Sequence, residues 1–531
     1  MSNGLRDYFT RRSPASGRAI VAVWLASYLS ASVPGYALPQ DGQVTAGQGT
    51  INQTSATTME ILQASQRMAA DFSSFDIAAE EAVNILQPGR SAIFLGNITG
   101  NSATTIFGTL TANGQVVLVN PRGVVFGETS RVETGALIAS TLGVDLDAFM
   151  SGALELEFSA ETAGQIINRG VIEAASGGSV TLLGDEVINE GLIVAELGRV
   201  DLASGSAATL TFDADGLIGL EVTQSALGTL GGENAVLNSG TIDAAGGQIL
   251  LTADAAKDLF DRAVNNEGIL RATTAQEVNG EIVLMSTGDT FTSGELVATN
   301  DAGEGGSVQV LGDRVAVTGG TIDVSGTEGG GEILVGGDFQ GQGDKPTADR
   351  TYVGPEAELV ANATGEGDGG RVIVWANDAT RFFGTLSARG GVNGGDGGFA
   401  EVSGKQNLRF AGDADLSAPL GVGGELLLDP DNITIATGGG DDLVGATGDD
   451  ADPNTLAFAE DAGSDATIDP TTITGILDGG TTVTLQAHDD ITVTDAIDAS
   501  GATAAGGGLT LDAGDDIFLN ANVRLNAGDL Q

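Results

Sequence analysis

Residues 97–142 read NITGNSATTIFGTLTANGQVVLVNPRGVVFGETSRVETGALIASTL, and this stretch decides the fold. It is built of short aliphatic and β-branched runs at 105–110, 115–119 and 124–126, each bounded by Gly or Asn-Gly. Runs of that kind are strands, and the punctuation between them is turns. Asn113-Gly114 tolerates the positive φ of a tight hairpin, so a chain reversal is predicted there. Asn120-Pro121-Arg122-Gly123 fits a four-residue β-turn, with Asn first, Pro fixing φ second and Gly fourth.

Upstream of this stretch lie Ile51-Asn52-Gln53-Thr54-Ser55, then Phe72-Ser73-Ser74-Phe75-Asp76-Ile77, then Glu81 to Pro88 reading EAVNILQP. Within it come Asn97-x-Thr-Gly, the spaced pattern from Ile106 through Asn120-Pro121-x-Gly123 to Phe126-Gly127, and Leu137-Ile-Ala-Ser-Thr. In that order these residues resemble the haemagglutination-activity, or two-partner secretion, domain that opens large exoproteins similar to filamentous haemagglutinin. The resemblance covers roughly residues 43–230. It implies an all-β fold, a right-handed parallel β-helix whose N-terminal end is capped by the secretion domain. It also implies export through a dedicated outer-membrane transporter of the Omp85 type, and a secretion motif made of Asn97, Asn120, Pro121 and Gly123. Arg122 stands where the family turn usually has Asn, so no role is carried over for the third side chain of that turn. Phe72 stands where the aromatic is commonly Trp.

Composition agrees with a turn-dense β protein. Glycine makes up 82 of 531 residues, about double ordinary usage, while aromatic residues are only 5%. The formal charge of −50, with lysine only at 257, 345 and 405, would repel phosphate backbones and anionic lipid. Nucleic acid and membrane surfaces are thereby disfavoured as partners. There is no cysteine, which excludes disulfides and thiolate metal sites and suits a chain that threads a pore unfolded after an oxidising periplasm.

Four arginines (Arg6, Arg11, Arg12 and Arg18) precede an apolar run at 19–26, and Gly35-Tyr36-Ala37 follows with small residues at the cleavage positions. Residues 1–37 therefore read as a secretory signal peptide, with the mature chain starting near Leu38. The run is too short to span a bilayer, and no later segment has the roughly 18 apolar residues a span needs. Residues 56–70 are the one place where helical spacing competes, through Met59, Leu62, Gln66 and Ala69; the β-branched start favours strand.

From Gly164 onward two motifs alternate. Asn168-Arg-Gly, Asn189-Glu-Gly, Asn238-Ser-Gly and Asn266-Glu-Gly each read as a polar turn leading into alternating aliphatics. Between them stand GGSVTL from Gly177, GGQILL from Gly246, GGSVQV from Gly305, GGEILV from Gly330, GGRVIV from Gly369, GGFAEV from Gly397 and GGELLL from Gly423. Self-similarity at this spacing is the mark of a solenoid, and short alternating strands with no helical period make it a β-helix. Inward Ile, Leu and Val should form continuous columns, with polar residues such as Asp323 facing out. At roughly 25 residues per coil about 19 coils would make a rod of about 90 Å. Segments 340–352 and 438–464 break the rhythm and read as surface loops.

The sequence offers little catalytic chemistry. His488 is the only histidine, so a multi-His metal site or bis-His haem cannot be built in one chain, and no nucleophile elbow supports a triad around it. Paired carboxylates are numerous by chance among 72 acidic residues. Residues 438–450 approach the Gly/Asp nonapeptide of calcium rolls, but only once, where tandem copies are needed. Gly365–Gly370 lacks the Lys-Ser/Thr of a phosphate loop.

These readings divide the chain into a signal peptide (1–37), a secretion domain (38–230) and a β-helical repeat region (231–531). The last stretch, IFLNANVRLNAGDLQ, is repeat-like, as in a fragment of something longer or an unusually short member. The expected function is a secreted, non-enzymatic adhesin binding a host or neighbouring-cell surface ligand, without metal or cofactor. The alternatives are a β-helical polysaccharide lyase or hydrolase, which would need a cleft where Asp/Glu and Arg converge, and the delivery stalk of a contact-dependent toxin.

Overall fold

From Arg67 onward the chain winds in coils of three short strands. One coil runs through Ser179–Gly184, Glu186–Asn189 and Leu192–Val194, and the next begins when Arg199–Ser204 lies parallel on the first of these. The computed structural model describes residues 37–531 except 163, 214–216, 229, 257–258, 274–279, 439–465, 502–505 and 527. The expected signal peptide and nearly all of the 438–464 insertion, with its calcium-roll resemblance, lie outside the described residues. Stacking the coils produces three walls. The first is a 16-stranded sheet from Gln43–Ala46 to Leu509–Ala513. The second and third merge into one 23-stranded sheet, because Arg314–Asp323 and Arg350–Val360 run through both.

Parallel pairing in constant register is what turns a sequence repeat into a core. Val180, Val200, Ile249, Ile282 and Val308 are successive register partners on the first wall, and all are buried. Ile166, Val187, Val236 and Val264 do the same on the second. Each such side chain contributes about 1.5–3 kcal/mol on leaving water, and none of it is available to a coil standing alone. The N-terminal end is closed by antiparallel strands: Gln43–Ala46 pairs with Arg67–Phe72, and Gly49–Ser55 with Thr58–Gln63. Residues 56–70 are thus two strands, Thr58–Gln63 and the start of Arg67–Phe72, separated by a turn, rather than helix, as the β-branched start implied.

Several expectations need correction. Sixteen strands on the first wall correspond to a stack of about 70 Å rather than about 90 Å, because insertions lengthen individual coils. Asn113-Gly114 is not a hairpin: Thr109–Ala112 belongs to the third wall and Gln115–Val119 to the first, so the pair is a corner between walls. The Gln87 side chain holds it, donating to the Ala92 and Gln115 carbonyls and accepting from Gly114 N at 2.8 Å. The polar Asn-x-Gly turn proves to be buried. Asn168, Asn189, Asn238 and Asn266 are completely buried and form a ladder in which each Nδ2 donates to the Oδ1 of the next, at 2.8, 2.7 and 2.8 Å. A buried amide is tolerated only when bonded, and identical residues one rung apart supply each other's partners.

The outward surface also departs from a uniformly polar one. Asp323 does face outward beside the buried Ile322, but on the second wall Val125, Ile167, Ile188 and Leu237 form a half-buried aliphatic stripe in register. On the first wall the outer face of the early coils is covered outright. Gly143–Val144, Glu155–Ser159, Ala207–Phe212 and Leu217–Gln224 make a small antiparallel flap, joined by helix α1 (Leu146–Ser151) with Asp145 capping its N-terminus. Phe149, Leu156, Phe158 and Leu210 of this flap pack on Ile93, Leu95, Val117 and Ile138. Helix α2 (Pro470–Asp478), capped by Asp469 and started by Pro470, buries Ile473, Ile476 and Leu477 in the main core.

Segment 340–352 is likewise more than a surface loop. It begins in a 3-10 turn, Phe339–Gly341, that lies on the first wall, and it ends inside the strand Arg350–Val360.

The Gly-Gly repeats acquire a physical reason at the corner leading into the first wall. A Cβ on Gly331 would lie 2.0 Å from the Gly306 carbonyl oxygen, one on Gly370 2.2 Å from that of Gly331, and one on Gly398 2.1 Å from that of Gly370. The second glycine of each pair therefore stacks on its counterpart one rung away, at a separation no side chain survives.

Candidate functional site

The Asn120 corner lies where the first wall turns into the second, directly after Gln115–Val119. Gly123 N donates to the Asn120 carbonyl at 3.0 Å, closing the turn, and Asn120 Oδ1 accepts from Arg122 N at 2.9 Å. The Asn120 Nδ2 donates to the Ser102 carbonyl and to Thr104 Oγ1, both at 3.0 Å. The side chain is completely buried, as is Thr104 to within 1%. Gly123 has φ +113°, and a Cβ there would stand 2.7 Å from the Gln165 carbonyl, so both conformation and space require glycine. Pro121 is half-buried and Arg122 is exposed at the tip.

Asn97 sits one rung earlier on Ile93–Ile98, in register with Val119 and with Asp71. Its Nδ2 donates to Asp71 Oδ1 at 3.0 Å. The fold therefore brings Asn97 and the Asn120 turn onto neighbouring rungs but gives them separate hydrogen-bond networks. The partners Thr104, Ser102 and Asp71 were not singled out by sequence; only a three-dimensional register places residues 16 to 26 positions apart against these amides. Phe72 meets Phe75 edge-on, with centroids 5.0 Å apart, both buried in the same coil.

Two adjacent buried acids secure the segment that follows the flap. Asp185 accepts from Leu227 N and from Gly228 N, the latter at 3.1 Å, and Glu186 accepts from Gly232 N at 2.9 Å and from Gln165 Nε2 at 2.8 Å. Burial raises both pKa values against the lowering effect of these donors, and the Asp185 charge raises Glu186 further.

Over the glycine column an open groove of about 1010 Å³ extends from Gln248 to Thr482, with Glu281, Glu304, Arg371, Phe399 and Glu425 along it. Asp/Glu and Arg do converge there, but Arg371 is ion-paired with Glu332 at 2.5 Å and with Asp338 at 2.8 Å. His488 is largely exposed and stands 4.0 Å from Asp489. Among the described residues no group of three potential ligands could hold a metal ion, and no helix is long and apolar enough to cross a membrane.

Residues 36–310 match the family model described as the TPS secretion domain. The chain is 31% identical over 213 residues to the heme/hemopexin-binding protein of Haemophilus influenzae strain Rd, covering 39% of this chain and 23% of that protein. A second H. influenzae protein of the same name is 31% identical over 266 residues, covering 46% of this chain and 27% of that one. The chain thus spans only about a quarter of the length of these relatives. Among solved structures, the HMW1 secretion domain of H. influenzae is similar over its whole length and 72% of this chain, with a TM-score of 0.63 and 28% identity.

Proposed function

The chain belongs to the two-partner secretion exoproteins, and from that premise we propose that it is an adhesin handed across the outer membrane by a dedicated Omp85-type transporter that engages its N-terminal part, residues 38–230. Exoproteins of this family are exported to the extracellular space or the cell surface, and that is where this chain acts. The observation that carries the transporter reading is the family match across residues 36–310, which contains every residue of the expected motif.

Within this reading Asn97, Asn120, Pro121 and Gly123 serve export by folding. Asn120 and Gly123 are closed to solvent, so a partner meets them before the corner has formed rather than afterwards. A chain that emerges unfolded gains its first buried columns when this corner closes, and that closure favours passage outward. The reading is non-enzymatic. It is supported by the exposure of His488 and by the internal pairing of Arg371. The heme and hemopexin named for the relatives do not carry over as ligands, since the match takes in about a quarter of those proteins. For adhesion, the polar groove over the glycine column offers an extended surface.

The test is secretion with a co-expressed transporter, comparing the full chain with one ending near Gly231. Export of both supports the reading. Retention of the short chain with export of one ending after residue 310 would move the boundary, and retention of all would remove the transporter. Binding of exported chain to host or neighbouring cells, absent from a chain lacking the residues after 231, tests adhesion.

A further inference from the structure

Residues 338–346 cross the outer face of the first wall before Ala348 enters the interior core, and the buried carboxylate of Glu401 lies beneath them. Phe339 packs on Leu334, Ile373 and Trp375, and meets Phe399 with centroids 5.8 Å apart. Gly341 lies so close to the Trp375 indole that a Cβ would stand 2.6 Å from its Nε1. At the tip, Gln340 adopts a left-handed conformation, φ +51°, that a non-glycine residue avoids unless its surroundings impose it. What imposes it is Glu401, completely buried, whose two oxygens accept from Gln340 N at 3.3 and 3.0 Å. The Gln340 side chain reaches on to Asp429 Oδ2 at 3.3 Å and Gln486 Oε1 at 3.4 Å. One residue thus ties the segment to three later rungs.

The charges around Glu401 do not balance it. On the segment itself stand Asp338 and Lys345; on the wall stand Arg371, Glu332 and Asp429, and beyond Asp429 lie Asp431, His488 and Asp512. Arg371 is already engaged by Glu332 and Asp338. Glu401 therefore faces another carboxylate, Asp429, and feels only the Arg371 charge that Glu332 and Asp338 already pair with.

We propose that residues 338–346 form an acid-tightened strap, closed over the apolar outer face of the first wall when Glu401 carries a proton and lifted from it when Glu401 is ionised. Protonation removes the repulsion between Glu401 and Asp429, and the remaining carboxyl oxygen still accepts from Gln340. Lifting exposes Trp375, Leu334, Ile373 and Phe399 on the outside of the rod.

Burial sets the direction: it pushes Glu401 up to about 7, with the Gln340 N–H, Ser403 and the Arg371 charge pulling down and Asp429 pushing up. In the lifted state Glu401 returns toward the ordinary carboxylate range. Closure therefore takes up a proton, is favoured as pH falls through about 7, and changes by at most about three-hundredfold across the window down to about pH 4.5.

Trp375 is one of two tryptophans, so Trp24→Phe makes it the single reporter. Acrylamide quenching of that chain should rise between about pH 5 and about pH 9, several-fold in the quenching constant, while far-UV circular dichroism stays constant. Glu401→Gln keeps an acceptor for Gln340 and should hold quenching low across the range. Gly341→Val drives a side chain into the indole and should hold it high. His488→Asn should leave the transition in place. Flat quenching in the Trp24→Phe chain, a transition that survives Glu401→Gln, or its loss with His488→Asn would each overturn the proposal.

Discussion

The amide of Asn120 donates to the hydroxyl of Thr104 at 3.0 Å, and neither side chain meets solvent. The first residue of this turn is therefore a core residue, and the consequences of changing it are those of emptying a buried network.

Asn120→Ala leaves Thr104 Oγ1 and the Ser102 carbonyl without their donor. The expected cost is about 1–3 kcal/mol, read as a lowered urea midpoint of the purified chain, with reduced export alongside. Arg122→Ala, at the exposed tip, should change stability by less than about 0.5 kcal/mol and leave export intact. Equal export of the two variants would show that the corner does not limit secretion.

Gly370→Ala places a methyl group 2.2 Å from a backbone oxygen one rung away, and the backbone on both sides is locked in ladders. Overpacking of this kind costs about 1–3 kcal/mol. Gly89→Ala meets nothing within 4 Å and should be close to neutral. Thermal melting of the pair separates close stacking from a general effect of removing glycine.

Asn238→Ala breaks the amide ladder in the middle, stranding Asn189 Nδ2 below and Asn266 Oδ1 above. A loss of about 1–3 kcal/mol follows. Asn238→Asp should be worse, because the carboxylate cannot donate to Asn266 and its charge has no partner. A melting temperature for the Asp variant at or above that of the Ala variant would contradict the ladder.

Ile249→Asp puts a charge into an aliphatic column between Val200 and Ile282 and should cost several kcal/mol, on the order of 3–5. Asp323→Ala loses one bond, from Ser325 N at 2.8 Å, worth about 0.5–1.5 kcal/mol. Similar losses in the two would mean the inside and outside of the coil are misassigned.

Asp185 and Glu186 give a pH dependence of definite sign. Their folded pKa values lie above the unfolded ones, so between the two the folded chain holds more protons. Stability therefore falls as pH rises through that window and is higher on its acid side. Lowering pH also relieves the general repulsion of a chain with charge −50, so the informative quantity is a difference. Asp185→Asn and Glu186→Gln should each flatten the profile of urea midpoint against pH. A slope unchanged in both would exclude these two groups as its source.

The β-helix, its N-terminal secretion domain and its inward columns were legible in the sequence because the alternation of a strand and the return of Gly-Gly are local, periodic signals. Val180, Ile249 and Val308 are inside for reasons visible in their own six-residue runs, and the Asn120 turn announced itself through Pro121 and Gly123. What the neighbours of those residues would be was not legible. The same Asn-Gly signal that makes a hairpin in an antiparallel sheet makes a wall-to-wall corner here, because Gln87 of the preceding rung takes both partners. The same Asn-x-Gly that reads as a polar turn is buried, because four copies in register satisfy one another's amides. The flap leaves its outer residues no repeat to betray it, and Phe149 and Phe158 find Ile93 and Val117 only after the first wall exists. Local pattern determines which residues point inward, since that depends on the chain's own period. Which polar group a buried side chain meets, and which carboxylate ends up facing another, depends on residues tens of positions away, brought together only by the stacking of coils.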